Sequence, residues 1–284
     1  MILLDGQKLA EKIIKKVSRQ VKILKKQGIN PKLAAVLVGN DSASISFIRK
    51  KEQLCQIIGI KFELFKFQSN ITEKNLLNKI DIIQSDKKLS GLIIQLPLPK
   101  KLNARNILER VREDIDVDCL TSRKLGKLTA DIAEIMPPTP AAIMEIIKEY
   151  NIKYKNKHIV VVGRGELVGK PLGILLTQKQ NTITMCGKYT VNLKKYTRQA
   201  DILITAVGKK NLITGNMIKD NIIVLDAGTI LINKKLFGDV DFKNVSKKAS
   251  MITPVPGGIG PVTVAKLLEN VTVVARNINV DKLS

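Results

Sequence analysis

The chain has 284 residues, 44% of them hydrophobic, and its 48 Lys and Arg against 25 Asp and Glu leave a net charge of +23. At about 150 residues per domain the length predicts two domains, and the apolar fraction excludes disorder as the main state. Apolar runs such as 33–38 and 159–162 fall far short of the roughly 18 residues that span a bilayer, so no transmembrane helix and no membrane partner are expected.

Met1 to Leu4 is apolar, but Asp5, Lys8, Glu11 and Lys12 follow too soon for a signal-peptide core of about 7 to 15 residues, so a cytoplasmic protein is expected. From Gln7 to Lys26 apolar residues recur every three or four positions, which predicts an amphipathic helix ended by Gly28 and Pro31. The apolar run within Lys32 to Val38 predicts a buried strand; after the turn Gly39-Asn40-Asp41-Ser42, Ser42 is placed to cap a helix running to about Ile58. Strands at Lys61–Phe67 and Gly91–Gln95 alternate with helices at Thr72–Gln84 and Ala104–Arg112, which implies a parallel sheet covered by helices. The string MPPTPAAI marks a domain junction, with Thr139 capping a helix through Tyr150. A second alternation follows, with strands at 158–162, 181–185, 201–207 and 222–226 and a helix at 167–177; Val262 to Ile278 returns to helical spacing.

Cys55, Cys119 and Cys186 are scattered and form no CxxC pair, so they read as reduced thiols. The single histidine, His158, reads as a structural residue at a strand start and excludes an HExxH or multi-histidine zinc centre; no metal is expected. Acid–base chemistry therefore falls to Lys, Asp, Glu or Tyr. The positive charge suggests a polyanionic partner, yet the basic residues are spread along the whole chain, and four Tyr, six Phe and no Trp supply a base-stacking surface poorly. An anionic substrate or phosphate-bearing cofactor is expected before nucleic acid.

His158 to Gly169 reads as a β-branched strand, a glycine-rich turn (Gly163, Gly165, Gly169) and a helix, where backbone N–H groups and the helix dipole suit a phosphate. An NAD site usually places an acid about 20 residues on to hold the ribose diol, but here the chain reads Met185-Cys186-Gly187-Lys188. Arg164 and Lys188 are instead suited to a 2′-phosphate, which favours NADP, with NAD as the alternative. Two further strands end in glycine, at Gly208 and Gly228, where backbone would approach a ligand at the sheet's carboxyl edge.

Five segments in order, Gly91-Leu-Ile-Ile-Gln-Leu-Pro-Leu-Pro99, Asp116-Val-Asp118, the string from Gly163 to Pro171, Gly238-Asp-Val-Asp-Phe242 and Thr253-Pro-Val-Pro-Gly-Gly-Ile-Gly-Pro-Val-Thr263, together resemble the bifunctional methylenetetrahydrofolate dehydrogenase/methenyltetrahydrofolate cyclohydrolase family. The resemblance implies a two-domain α/β fold. In it, residues 1–139 plus 263–284 form the folate-binding catalytic domain, completed by the C-terminal helix. Residues 140–262 form a Rossmann-like NADP-binding domain, and the active-site cleft lies between the two. It implies two reactions of one-carbon metabolism: NADP-dependent oxidation of 5,10-methylenetetrahydrofolate, then hydrolysis of the methenyl product to 10-formyltetrahydrofolate. A homodimer is implied as well.

By the same resemblance Lys51 is the catalytic lysine, Gln95 supports it and Asp118 holds the pterin, while Asp116 is structural. Burial in a cleft lowers a lysine pKa, and repulsion from neighbouring Arg49 and Lys50 is expected to add to that. Phe47 stacks on the pterin, and Pro256, Gly257 and Gly258 close on the folate. Cofactor contacts are implied for Thr139, Gly163, Arg164, Gly165, Val168, Lys188, Ala206, Gly208, Thr229, Gly260 and Thr263. The sequence departs from the family's pattern at Phe47 (usually Tyr), Cys119 (Gly), Gly165 (Ser), Gly187-Lys188 (His-Ser) and Ala227 to Thr229 (Val-Gly-Ile). Two alternatives stand beside this reading: a cyclohydrolase-only homologue with a degenerate cofactor site, and a basic, non-catalytic polyanion-binding protein.

Overall fold

The computed structural model describes residues 1–280, so the last four residues of the expected 263–284 segment lie outside the described residues. In chain order its first half carries β1 (Ile2–Leu3), α1 (Gly6–Lys26), β2 (Lys32–Val38), α2 (Ser42–Ile58), β3 (Lys61–Phe67), α3 (Glu73–Gln84), β4 (Gly91–Ile94), α4 (Ala104–Glu109), α5 (Ser122–Thr129) and α6 (Pro138–Glu149). The second half carries β5 (His158–Val162), α7 (Gly169–Gln178), β6 (Thr182–Cys186), α8 (Leu193–Thr197), β7 (Ile202–Thr205), β8 (Ile223–Asp226), β9 (Ile230–Ile232), β10 (Lys235–Phe237), α9 (Phe242–Val245), β11 (Met251–Ile252) and α10 (Ile259–Val280).

Contacts divide the chain into two compact units, one of residues 12–127, 133–136 and the chain from Leu267, the other of residues 1–11, 128–132 and 137–266. The expected boundaries at 139/140 and 262/263 differ from this division mainly at the N-terminus. Ile2 and Leu3 pair in parallel with Met251 and Ile252, which joins the first residues to the sheet of the later unit. No local pattern announces a pairing across that separation.

In the first unit three parallel strands lie in the order β3-β2-β4. The central strand β2 is buried from Leu33 to Val38, as a strand covered on both faces must be, while the edge strand β3 exposes Lys61, Leu64 and Lys66 and only half-buries the residues between them. Its core gathers Val36, Leu76, Ile80, Leu92, Ile94 and Ile107, all shielded from water. Asp41, rather than the expected Ser42, caps α2: its carboxylate accepts the Ser44 N–H at 2.8 Å. The expected helix from Ala104 ends at Glu109.

In the second unit six parallel strands lie in the order β1-β11-β8-β7-β5-β6. The chain leaves β5 for β6 on one side and then crosses to β7 on the other, so the switch point falls at the carboxyl ends of β5 and β7. Thr139 does not cap α6; that helix starts at Pro138 after Pro137, and prolines in the first turn cost nothing because those N–H groups have no intrahelical partner. The expected strand at 201–207 stops at Thr205, where the turn through Gly208 begins. The helix expected from 167 starts at Gly169.

A hairpin of β9 and β10 was not expected. Its two turn residues, Asn233 and Lys234, both adopt positive φ (50° and 62°), the geometry that favours the right-handed twist of paired strands. Lys in the second position hides it, because glycine is the usual signal there. His158 opens β5, its Nε2 2.8 Å from the Thr184 hydroxyl across the sheet. All three cysteines are buried and free, and no helix among the described residues is long and apolar enough to cross a membrane.

Candidate active site

The first unit places a lysine where water is scarce. Phe47 and Lys51 sit four apart on α2, so they share one face, and both are half-buried. Lys51 Nζ donates to Gln95 Oε1 at 3.1 Å. Gln95 follows β4; its backbone N–H donates to the Val36 carbonyl at 2.9 Å and its Nε2 to the Leu96 carbonyl at 2.7 Å. Those two bonds leave Oε1 as the side-chain atom aimed at the amine.

Burial lowers the Lys51 pKa from the ordinary 10.5, against the attraction of the Asp118 carboxylate and Cys55. Burial likewise raises Asp118, with the Lys51 charge opposing. Desolvation therefore moves both groups toward their neutral forms while each draws the other back toward charge. Cys55, one turn beyond Lys51, has its thiol pushed up to about 12 and is inert as a nucleophile. The expected help from Arg49 and Lys50 is not found: both are exposed on the solvent side of α2, and burial is the leading cause.

Asp118 is held through its neighbours. The Asp116 carboxylate accepts the N–H groups of Leu120 (3.3 Å) and Thr121 (2.9 Å), closing the turn into α5. Asn270, buried on α10, donates through Nδ2 to the carbonyls of Val117 (2.9 Å) and Met136 (2.8 Å). Cys119 takes a φ of 56°, in the left-handed region that glycine enters without cost, which accounts physically for glycine in the family's pattern. Lys51, Gln95, Asp118 and Phe47 thus belong to one unit, whereas Pro256, Gly257 and Gly258 lie in the other, in the turn between β11 and α10.

In the second unit the glycine-rich turn leaves β5. A Cβ on Gly163 would lie 2.3 Å from the Ala206 carbonyl oxygen, and one on Gly169 2.0 Å from that of Gly163, so both positions exclude a side chain. Gly165 faces open space. Arg164 is exposed, with its Cδ 3.0 Å from where a Cβ on Gly187 would be, so its stem crosses to the end of β6. Lys188 is exposed in the following turn, its Nζ 5.5 Å from the Tyr189 ring centre. No acid occupies the end of β6, and two cations lie there instead. Val168 precedes α7 without a side-chain cap, leaving the first N–H groups of that helix to other partners. Ala206 and Gly208 follow β7, and exposed Thr229 precedes β9. Gly260 and Thr263 open α10, where the Thr263 hydroxyl donates to Thr139 Oγ1 at 3.4 Å.

Residues 4–118 match the model of the tetrahydrofolate dehydrogenase/cyclohydrolase catalytic domain, and residues 137–279 that of the NAD(P)-binding domain of the same enzymes. The chain belongs to the tetrahydrofolate dehydrogenase/cyclohydrolase family. The bifunctional protein FolD of Nautilia profundicola is 46% identical over 278 residues, covering 98% of each chain. The crystal structure of the bifunctional FolD enzyme from Campylobacter jejuni superposes with a TM-score of 0.93 at 39% identity, covering 98% of this chain and 99% of that one. A Trypanosoma brucei family member, solved with NADP cofactor and inhibitor, gives a TM-score of 0.93 at 29% identity over 98% of each chain.

Family membership gives the two units their names, catalytic and NAD(P)-binding. Asn270 and the carboxylates of Asp226 and Asp239 escaped the reading of the sequence as site residues. Asn270 carries one faint signal, a polar residue among Leu267, Leu268 and Val271 on an otherwise buried stretch. Asp226 ends β8 two residues before Gly228, and Asp239 follows Gly238 beyond the end of β10; nothing in that pattern separates a buried carboxylate from a turn residue.

Proposed function

We propose that the chain oxidises 5,10-methylenetetrahydrofolate to the methenyl form with NADP, and hydrolyses that product to 10-formyltetrahydrofolate. The observation that carries the reading is the desolvated amine of Lys51 on the Gln95 amide, in a chain matched along its length by this family. In the hydrolytic step, neutral Lys51 takes a proton from water as the water oxygen bonds to the methenyl carbon. The resulting ammonium returns a proton to the ring nitrogen as the carbon–nitrogen bond breaks, and the hydroxyl proton of the adduct leaves to solvent as the formyl carbonyl forms, so one proton is released overall. Gln95 orients the amine, Asp118 accepts hydrogen bonds from the pterin amino and ring N–H groups, and Phe47 offers a ring for stacking. The folate and its one-carbon bridge are the substrate, and no metal takes part.

The residues of the second unit suit a dinucleotide carrying a 2′-phosphate: open space at Gly165, two cations at the end of β6 and no acid to bind a ribose diol. Bound NADP supplies the hydride acceptor for the oxidation. Thr139, Gly163, Arg164, Gly165, Val168, Lys188, Ala206, Gly208, Thr229, Gly260 and Thr263 are assigned to it, with Arg164 and Lys188 on the 2′-phosphate. We place the protein in the cytoplasm, where free thiols such as Cys55, Cys119 and Cys186 persist. We assign it a homodimeric state as well; β9 and β10 pair with no other strand among the described residues, and their outer edges offer backbone groups to a second copy.

Wild-type protein is expected to turn over 5,10-methylenetetrahydrofolate with NADP in a spectrophotometric assay, and to hydrolyse the methenyl compound with dinucleotide omitted. Hydrolysis alone would leave a cyclohydrolase with a spent cofactor half, and silence in both would overturn the reading. Lys51→Met should abolish hydrolysis while leaving the circular dichroism spectrum intact; retained hydrolysis would move the proton to another group. Arg164→Ala should raise KM for NADP about tenfold, the loss of one charge-assisted contact of roughly 1.4 kcal/mol, with little change for NAD. An unchanged NADP/NAD ratio would pass the role to Lys188. Sedimentation should give a mass twice the 31.4 kDa of the chain, and a monomer at assay concentration would remove the dimer.

A further inference from the structure

The segment Gly238-Asp-Val-Asp-Phe242 takes no part in the chemistry above, yet it carries a fully buried carboxylate, Asp239. Asp239 Oδ2 accepts the Val207 N–H and Oδ1 the Lys209 N–H, each at 2.7 Å, so one carboxylate grips both sides of Gly208. Asp239 is itself seated on a second buried carboxylate. Asp226 Oδ1 accepts the N–H groups of Asp239 (3.2 Å) and Gly228 (2.9 Å) and the Thr205 hydroxyl (2.9 Å), while Oδ2 accepts the Val240 N–H at 3.0 Å. Two acids in series thereby tie the ends of β7 and β8 to the strand exit after β10. The packing leaves no slack: a Cβ on Gly228 would lie 2.1 Å from Asp239 Cγ, and one on Gly238 2.1 Å from Asp226 Oδ2. The gripped turn continues directly from Ala206, whose carbonyl oxygen is the atom that a Cβ on Gly163 would strike at 2.3 Å.

We infer that Asp239, seated on Asp226, is a positioning residue for the dinucleotide: it fixes the backbone from Val207 to Lys209 against the glycine-rich turn and so sets cofactor affinity without touching the cofactor. The inference rests on the assignment of Ala206, Gly208 and Gly163 to the dinucleotide. A carboxylate suits the task because each oxygen takes one N–H in a charge-assisted bond, and the isosteric amide would turn one acceptor toward a donor.

The test compares the full chain with its Asp239→Asn variant in the NADP-dependent assay, and in methenyl hydrolysis with dinucleotide omitted. The expected result is a KM for NADP raised about tenfold or more, with kcat and folate KM of hydrolysis within about twofold of wild type. An unchanged KM for NADP, or both activities falling in proportion at unchanged KM, would reduce Asp239 to a support of the fold and overturn the inference. Should Asp239→Asn fail to fold, Thr205→Val loosens only the hold on Asp226 and should raise the same KM about threefold; no rise there overturns the inference equally. A wild type that binds neither NADP nor NAD would overturn the cofactor assignment and this role with it, an outcome distinct from a working wild type and an indifferent variant.

Discussion

An amine kept away from water is the constraint on which the proposed chemistry of this protein rests. Lys51 sits on the face of a capped helix, α2, and its Nζ reaches the side-chain oxygen of Gln95, the residue that follows β4. A neutral amide tolerates the amine in either protonation state, whereas a carboxylate in direct contact would lock the proton on. The actual carboxylate, Asp118, acts as a charge that partly offsets desolvation. Burial and partial compensation together leave the proton free to move, which a group that must both take and give a proton requires.

Both units use the carboxyl ends of parallel strands, and for the same physical reason. A strand that ends inside a covered sheet must turn there, and its last N–H and carbonyl groups need partners beyond the ladder. In the catalytic unit the turn after β4 supplies Gln95, its backbone tied to Val36. In the NAD(P)-binding unit the turns after β5, β6 and β7 supply Gly163, the cations of the β6 end and the Ala206–Gly208 segment. Buried polar side chains hold neighbouring backbone in each: Asn270 donates to the carbonyls of Val117 and Met136 in the one, and Asp239, seated on Asp226, accepts the Val207 and Lys209 N–H groups after β7 in the other.

What the sequence made legible follows from range. The strands at Lys32–Val38 and Lys61–Phe67 fall where expected because a short apolar run between turn residues needs no distant information. β1 and β11, two residues each, exist only because they pair with each other and with β8. The same pairing groups residues 1–11 by contact with residues 137–266, a tie that no local pattern in the sequence carries. Among the proposed site residues, Gln95 and Asp118 were legible in the family's strings and Lys51 through the resemblance at its position, and the geometry adds the Lys51–Gln95 bond that no string contains. The tie between Asp239 and Val207, 32 residues apart, has no local signature at all.

The most direct test of the account is the titration of Lys51 itself, by NMR of protein with isotope-labelled lysine side chains, its signal assigned by comparison with Lys51→Arg. Burial predicts a midpoint clearly below the ordinary lysine value of 10.5 in the protein free of folate, displaced upward when Gln95 is replaced by Glu. A Lys51 that titrates at or above 10.5 in the wild-type protein would mean that its charge is not desolvated, and the proton-transfer role built on it would fall.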